Sequence, residues 1–474
     1  MEDFTKPDIE IARRDWLKAA ALGGAGSLIA QGALSAETGK AGADKVRGVI
    51  FMVSDGMSPG VLTMAQAFSK LVRDRGTAWW DLLNDHGSAR GLMDTASANS
   101  MVTDSAAASS SWGSGHRVNN GAINFTPEGK ELEPIGKLLK KKGVKIGLVS
   151  TATITHATPA GFAASEKSRG DEVRIAPQYL DRVDVILGGG TPFFTAKTGE
   201  GGKKLFEDFK AHGYGVVSKR ADLLASKDAK LLGTFANGHL PYTIDRNNNP
   251  AIAEVVPTLE EMSRAALARF LEGDAPFLLQ IEGARVDHAA HLNDIGGLLW
   301  DQLAFDDALA AVLALTAERK DILVVVTSDH GNSNPGLNGM GGSYSQSTPS
   351  FARIKEMKAS HERLFGEWRS VRDGTSEQLT AMIRAQLGFA LRPDQADALL
   401  EIFRNRPVVE WNEQLSKPEG LLGQFAGNHT GIGWVGTTHT SDPTLVSARG
   451  PQADRFSGMV VNSGVFGHLM EMLG

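Results

Sequence analysis

Four apolar runs constrain this chain most, because none alternates with polar residues and three of them stop at an acid. "RGVIFMVSDG" ends at Asp55–Gly56, "APFLLQIEG" at Glu282, and "DILVVVTSDHGN" at Asp329–His330, while "VKIGLVSTATITH" is the fourth. Continuous apolar runs of strand length describe strands buried on both faces, as in a parallel sheet covered by helices. Helical periodicity fills the intervals, as in "LEEMSRAALARFLEG" at 259–273 and "LLWDQLAFDDALAAVLALTAER" at 298–319. The fold class expected is therefore α/β, a three-layer sandwich with a large, mostly parallel central sheet flanked by helices. In such sheets ligands bind beyond the carboxyl ends of the strands. Any one strand-end Asp is an ordinary turn former; three, one followed by His, suggest a shared metal site.

With no cysteine among 474 residues, disulfides and thiolate metal sites are both excluded. A metal must be held by His, Asp, Glu and hydroxyl oxygens. In "EGARVDHAAH" Asp287 and His291 are four apart, one turn of one helix face. Carboxylate plus imidazole suits zinc, although such a pair is also an ordinary solvated helix face. "GTTHTSDP" supplies His439 in a loop, and His429 in "AGNHTG" competes with it. Asp55, Glu282, Asp287, His291, Asp329, His330 and His439 suffice for two or three divalent ions, which an anionic substrate such as a phosphate ester would complete.

The stretch "MVTDSAAASSSWGSGHR" reads first as a capped helix start. Beside metals it also reads as a nucleophile: coordination lowers the pKa of the Ser105 hydroxyl. A helix N-terminus there favours a phosphoryl group, and small residues let the helix approach the sheet. Asp104 is expected to orient a cationic clamp rather than act as base. Arg169, in "THATPAGFAASEKSRGDE", is able to grip two phosphate oxygens or to be a surface Arg beside Glu166 and Asp171.

The net charge of −6 and the lack of a basic stripe beyond "LLKKKG" argue against nucleic acid as a partner. "IARRDWLKAAALGGAGSLIAQGALSA" pairs Arg13–Arg14 with a short, weakly apolar stretch, too short for comfortable membrane spanning. "RRDWLK" resembles a twin-arginine export signal. Residues 1–36 are expected to be that signal and 37–474 the mature domain, periplasmic or secreted and without a stable membrane anchor.

Taken in order, "VSDGMS", "VTDSAAAS", "THATPAG", "VDVILGGG", "IEGARVDHAAH", "TSDHGN" and "THTSDP" resemble the alkaline phosphatase family over nearly the whole mature chain. The resemblance implies hydrolysis of phosphate monoesters at alkaline pH through a covalent phosphoserine. Ser105 matches the nucleophile and Arg169 the phosphate-binding arginine, held by Asp104. Asp287, His291 and His439 match the ligands of a first zinc; Asp329, His330 and Asp55 match those of a second. Asp55 also bridges to a third site, usually magnesium, completed by Thr158 and Glu282, where Zn²⁺ or Co²⁺ are the expected replacements. His156 and His288 stand where the family varies, and His at both resembles its more active, metal-exchangeable types. His156 is expected beside the third metal and His288 against phosphate through water; a merely packed histidine is the alternative at each.

Between His330 and His439 the chain departs from the family pattern. The stretch from about 336 to 428 reads as an insertion with amphipathic helices, such as "FARIKEMKASHERLFGEWRSVRD" and "SEQLTAMIRAQLG". It is expected to form a helical cap or crown, and the resemblance leaves room for a homodimer. After His439 the tail "SARGPQADRFSGMVVNSGVF" reads as strand-like. Small-molecule phosphate monoesters are the expected substrates. The alternatives are a phosphodiesterase or sulfatase of the same superfamily, though relatives of that kind often use Thr or a modified Cys as nucleophile. A periplasmic phosphate- or metal-binding protein without turnover is another, but it would need no nucleophile.

Overall fold

Each apolar run becomes a strand in the computed structural model, which describes residues 45–406 and 409–474; the segment 1–36, expected to be an export signal, falls outside them. The strands are β1 (Gly48–Ser54), β2 (Ala89–Met93), β3 (Lys145–Thr153), β4 (Val185–Gly189), β5 (Tyr214–Val217), β6 (Lys230–Thr234), β7 (Phe277–Gly283), β8 (Ile322–Thr327), β9 (Thr444–Arg449) and β10 (Gly458–Val460). They form one ten-stranded sheet in the order β10-β2-β9-β8-β1-β7-β3-β4-β6-β5. Only β9 runs against its neighbours, β2 and β8. Every residue of β1, β7 and β8 is buried, as unbroken apolar runs require.

The side chains of these strands alternate between two separate cores. Ile50, Met52, Leu279, Ile281, Val324 and Val326 face one. Val49, Phe51, Val53, Leu278, Leu323 and Val325 face the other. Period-two alternation with both faces apolar is what a sheet between two helical layers demands. Five helices matter for the site: α1 (Ser105–Ser114), α2 (Ala157–Ala163), α3 (Arg285–His291), α4 (Ile295–Leu315) and α5 (His361–Arg369). The helix Leu259–Leu271 starts in a capping box, Thr258 with Glu261. No described helix is long and apolar enough to cross a membrane.

Register aligns the strand ends that matter. Val53 lies level with Glu282 on one side and with Thr327 on the other, and Ser150 of β3 is level with Glu282. The residues just beyond β1, β7 and β8 therefore emerge together at the carboxyl edge of the sheet centre.

The segment expected to be an insertion is closed at its base, where Gly336 and Leu337 pair antiparallel with Gly433 and Ile432. Between them lie Ser347–Ala352, α5, Ser376–Leu387, Pro393–Phe403 and Pro418–Thr430, all helical. The single amphipathic pattern of 351–373 is broken into pieces because Ser360 starts a new helix as its N-cap, accepting from Arg363 N. Leu364, Phe365, Leu379, Ile383, Leu399 and Leu422 join the core on one face of the sheet. The expectation for the tail holds only in part. After β9 it makes a 3₁₀ turn at Ala453–Phe456, the short β10, and then the helix Gly464–Leu473.

Candidate metal centre and active site

Ser105 is the first residue of α1, 2% exposed, with Asp104 as N-cap. Asp104 Oδ1 accepts from Ala107 N at 2.9 Å, satisfying one free amide of the first turn. The small residues that follow have a steric cause. Helix α1 is buried on all sides, and a Cβ at Gly113 would lie 1.9 Å from the carbonyl oxygen of Gly161 in α2. Ser109 Oγ, on the same surface, donates to Ala157 O at 2.9 Å. The helix is thus wedged between sheet and α2 with its N-terminus at the strand ends.

Three groups of ligand-type side chains meet there, each with its ligand atoms within 4.8 Å of one another: Asp287, His291 and His439; Asp55, Asp329 and His330; Asp55, His156 and Glu282. Asp55 belongs to two of them. Gly56 follows it at φ +66, where a Cβ would lie 2.5 Å from Asp287 Oδ1, so the turn needs glycine both for its backbone and for the approach of α3. Ser105 Oγ is 3.2 Å from His330 Nε2, which lies 3.1 Å from Asp329 Oδ2 and 3.6 Å from Asp55 Oδ1.

The imidazoles of the first group are aimed by backbone carbonyls. His291 Nδ1 is 2.8 Å from Thr437 O, and His439 Nδ1 is 2.8 Å from Thr103 O. Each ring donates through Nδ1 and turns Nε2 towards Asp287, as metal-binding histidines commonly do. The two Nε2 atoms are 3.1 Å apart and lie 3.4 and 3.5 Å from the Asp287 carboxylate. Asn332 Nδ2 donates to Asp287 Oδ1 at 2.6 Å. His429 is elsewhere, in the helix Pro418–Thr430 and stacked on Phe389 at 4.6 Å.

Several buried polar atoms here find no protein partner: both oxygens of Asp55, Glu282 Oε1, Thr158 Oγ1 and His156 Nδ1. Glu282 Oε2 is satisfied by the Ser150 hydroxyl. Buried carboxylate oxygens without donors are costly, and here they converge, which fits cations. Burial, with the charges of Asp329, Asp287 and Glu282, pushes the Asp55 carboxyl well above its usual range. Burial also raises Glu282, to about 7. Against burial, the imidazoles of His291, His439 and His330 hold Asp287 well below the carboxylate range. Asp287 in turn raises His291 to about 9, also against burial. One carboxylate with two imidazoles, or two with one, suit zinc, and Asp55, Glu282 and the Thr158 hydroxyl form an oxygen-rich set that suits magnesium.

Arg169 Nη1 donates to Asp104 Oδ2 at 3.0 Å, and its Nη2 to His156 Nε2 at 3.0 Å. The candidate clamp, its holder and the candidate nucleophile thus share one corner. Around them the structure adds residues not singled out from sequence: Asn332, Arg285 and His239. The His239 ring lies 4.4 Å from that of His288 and 5.6 Å from that of His156. Arg285 and Asn332 stand inside recognisable motifs, but His239 arrives from a loop after β6 that carries no local signal.

A family model described as alkaline phosphatase matches residues 46–474. Alkaline phosphatase 3 of Bacillus subtilis is 29% identical over 449 residues, covering 92% of this chain and 91% of its own. Streptomycin-6-phosphate phosphatase of Streptomyces griseus is 29% identical over 509 residues, covering 98% of each chain. The crystal structure of Thermus thermophilus alkaline phosphatase superposes with a TM-score of 0.83 at 34% identity, over 94% of this chain and 95% of its own. The chain belongs to the alkaline phosphatase family, a family of metal-dependent phosphatases.

Proposed function

We propose that this protein hydrolyses small-molecule phosphate monoesters at alkaline pH through a phosphoserine at Ser105, with two zinc ions and a third ion of the magnesium type. The observation that carries the reading is the Ser105 hydroxyl, at the N-terminus of α1 and 3.2 Å from His330 of a ligand group that shares Asp55 with a second group. Asp287, His291 and His439 would hold the first zinc, Asp55, Asp329 and His330 the second, and Asp55, Glu282 and Thr158 the third ion, with His156 beside it. When bound, these ions supply Lewis acidity that lowers the pKa of the serine hydroxyl and offsets charge on the leaving oxygen.

The chain's own groups do the rest. Arg169, held by Asp104, grips two phosphoryl oxygens, and the free amides of the first turn of α1 face the same anion. Ser105 Oγ, having given up its proton, attacks phosphorus in line as the ester oxygen leaves and is protonated from solvent. Water then attacks the phosphoserine, releasing inorganic phosphate and restoring the hydroxyl. The name of the Streptomyces relative, streptomycin-6-phosphate phosphatase, agrees with small phosphate esters as the class. The same reading takes 1–36 as a twin-arginine export signal and the mature protein as periplasmic or secreted.

Turnover of aryl phosphate monoester, diester and sulfate tests the reaction class, and the monoester is expected to win by orders of magnitude. Ser105→Ala should lose several orders of magnitude in kcat while zinc content stays near normal. A variant that keeps its rate removes Ser105 from this role.

A further inference from the structure

One charged side chain beside the site has no part in the scheme above. Arg285, the first residue of α3, is 2% exposed and stacks on Tyr242, its guanidinium carbon 3.7 Å from the ring centroid. Its Nη1 lies 2.8 Å from His288 Nδ1, and its Nη2 lies 2.8 Å from Glu362 Oε2. A guanidinium only donates. His288 Nδ1 is therefore the acceptor, and the single proton of a neutral ring sits on Nε2. Among the described residues, His288 Nε2 has no hydrogen-bond partner, and the ring lies 5.6 Å from that of His156, which Arg169 contacts. His239 is fixed in the same sense, since Thr153 N donates to its Nδ1 at 3.1 Å.

Glu362 belongs to the inserted segment, and its neighbours pin that segment to the core. Ser360 donates from N and Oγ to Asp245 at 2.9 and 2.6 Å, and His361 N donates to Asp294 Oδ2 at 2.8 Å. Three consecutive residues thus carry the insertion to the edge of the site, and the third ends on Arg285.

We propose that Arg285, clasped by Glu362 of the insertion, is a positioning residue that fixes His288 as the neutral Nε2–H tautomer and so makes it a hydrogen-bond donor to the bound phosphoryl group. The proposal rests on the phosphatase reading for the identity of that anion. It explains why a cation is buried here: the guanidinium is held by a carboxylate and an aromatic face while its remaining fork sets a ring. It also gives the insertion a task at the reaction centre, because the carboxylate it delivers orients a group that orients another.

The test uses the metal-loaded protein and inorganic phosphate. Imidazole ¹⁵N spectra, with His288 assigned through His288→Gln, should show Nδ1 unprotonated and Nε2 protonated, the latter shifting when phosphate is added. In Arg285→Met the inhibition constant of phosphate and the KM of an aryl phosphate should rise together by about tenfold, the size of one net hydrogen bond to an anion, with kcat far less affected. Glu362→Ala changes a side chain that is 57% exposed and should fold normally, giving a smaller rise in the same two constants. If Arg285→Met does not fold, the parent spectrum and Glu362→Ala decide. Protonated Nδ1 in the parent, or unchanged phosphate affinity in folded variants, overturns the proposal. A parent protein that neither cleaves the ester nor binds phosphate would instead sink the phosphatase reading, and the spectra would still report the tautomer.

Discussion

The Asp104–Arg169 contact permits a quantitative test, because Asp104 does two jobs with two different oxygens. Oδ1 caps α1 through Ala107 N at 2.9 Å, whereas Oδ2 accepts from Arg169 Nη1 at 3.0 Å and from Gly121 N at 2.9 Å. Asp104→Ser keeps a capping hydroxyl but leaves Gly121 N without its acceptor, so it should cost the fold about 1–2 kcal/mol. It removes the carboxylate that holds the arginine. A hydrogen bond to a charged group contributes roughly 1.5–3 kcal/mol. The side chains are 27% and 18% exposed, so solvent screening trims this, and a coupling of about 1–2 kcal/mol is expected. On kcat/KM that is roughly five- to thirtyfold. The assay is a double-mutant cycle on aryl phosphate hydrolysis with Asp104→Ser, Arg169→Ala and the pair. Arg169→Ala should lose phosphate affinity first, and adding Asp104→Ser to it should cost little more. Effects that add within about 0.5 kcal/mol would show that Asp104 is a helix cap and nothing else.

Three further outcomes follow from other parts of the molecule. Prolonged chelation should abolish activity and lower the unfolding temperature, and Zn²⁺ with Mg²⁺ should restore both, because ions that bind only the folded state stabilise it; an unchanged melting curve would count against ions at this site. Burial pushes Asp301 up to about 7, against hydrogen bonds from Thr243, so the folded protein retains a proton there that the unfolded chain, near 3.8, has lost. Its stability relative to Asp301→Asn should therefore be equal at low pH and fall as pH rises from about 4 to 7, by up to a few kcal/mol, in chemical denaturation across that range; a pH-independent difference would refute the burial account. Gly113→Ala should destabilise by about 1–3 kcal/mol or more, since its Cβ meets the Gly161 carbonyl, whereas Gly467→Ala, with open space around it, should be neutral or stabilising in the same thermal melt.

What could be read from the sequence was whatever a contiguous stretch expresses. The unbroken apolar runs gave the central strands because burial on both faces leaves no other composition. Asp287 and His291 could be paired because one helical turn separates them, and α3 does bring them to one group with His439. The edge strands were less visible: β2 has exposed and half-exposed positions, and β5 has only one buried residue. The reversed direction of β9 is a property of the chain's return path, which no local pattern records. His239, 86 residues from the Thr153 amide it accepts from, and the Arg285–Glu362 contact, spanning 77 residues, depend on how loops close over the sheet. The helical reading of 351–373 missed a break because Ser360 is pinned by Asp245, an acid more than a hundred residues away.

The arrangement of charges explains why ions and fold should depend on each other. Asp55, Glu282, Asp287 and Asp329 are all buried within a few ångströms of one strand edge. Four ionised carboxylates cannot coexist there unaided. With protein groups alone the site divides into two kinds. Asp287 and Asp329 are held ionised by His291 and His330, while burial and like charge drive Asp55 and Glu282 towards their protonated forms. A cation entering either group that contains Asp55 competes with the proton that burial favours there, and one entering the Asp287 group competes with the proton on His291. Ion affinity should therefore rise steeply with pH, with proton release on binding, and the shared carboxylate should make the second and third ions bind interdependently. Calorimetric titrations of zinc in buffers of different ionisation enthalpy measure that release directly. Binding without proton exchange between pH 6 and 8 would mean that Asp55, Glu282 and His291 have already lost their protons, and that something other than divalent ions balances the charge of the buried carboxylates.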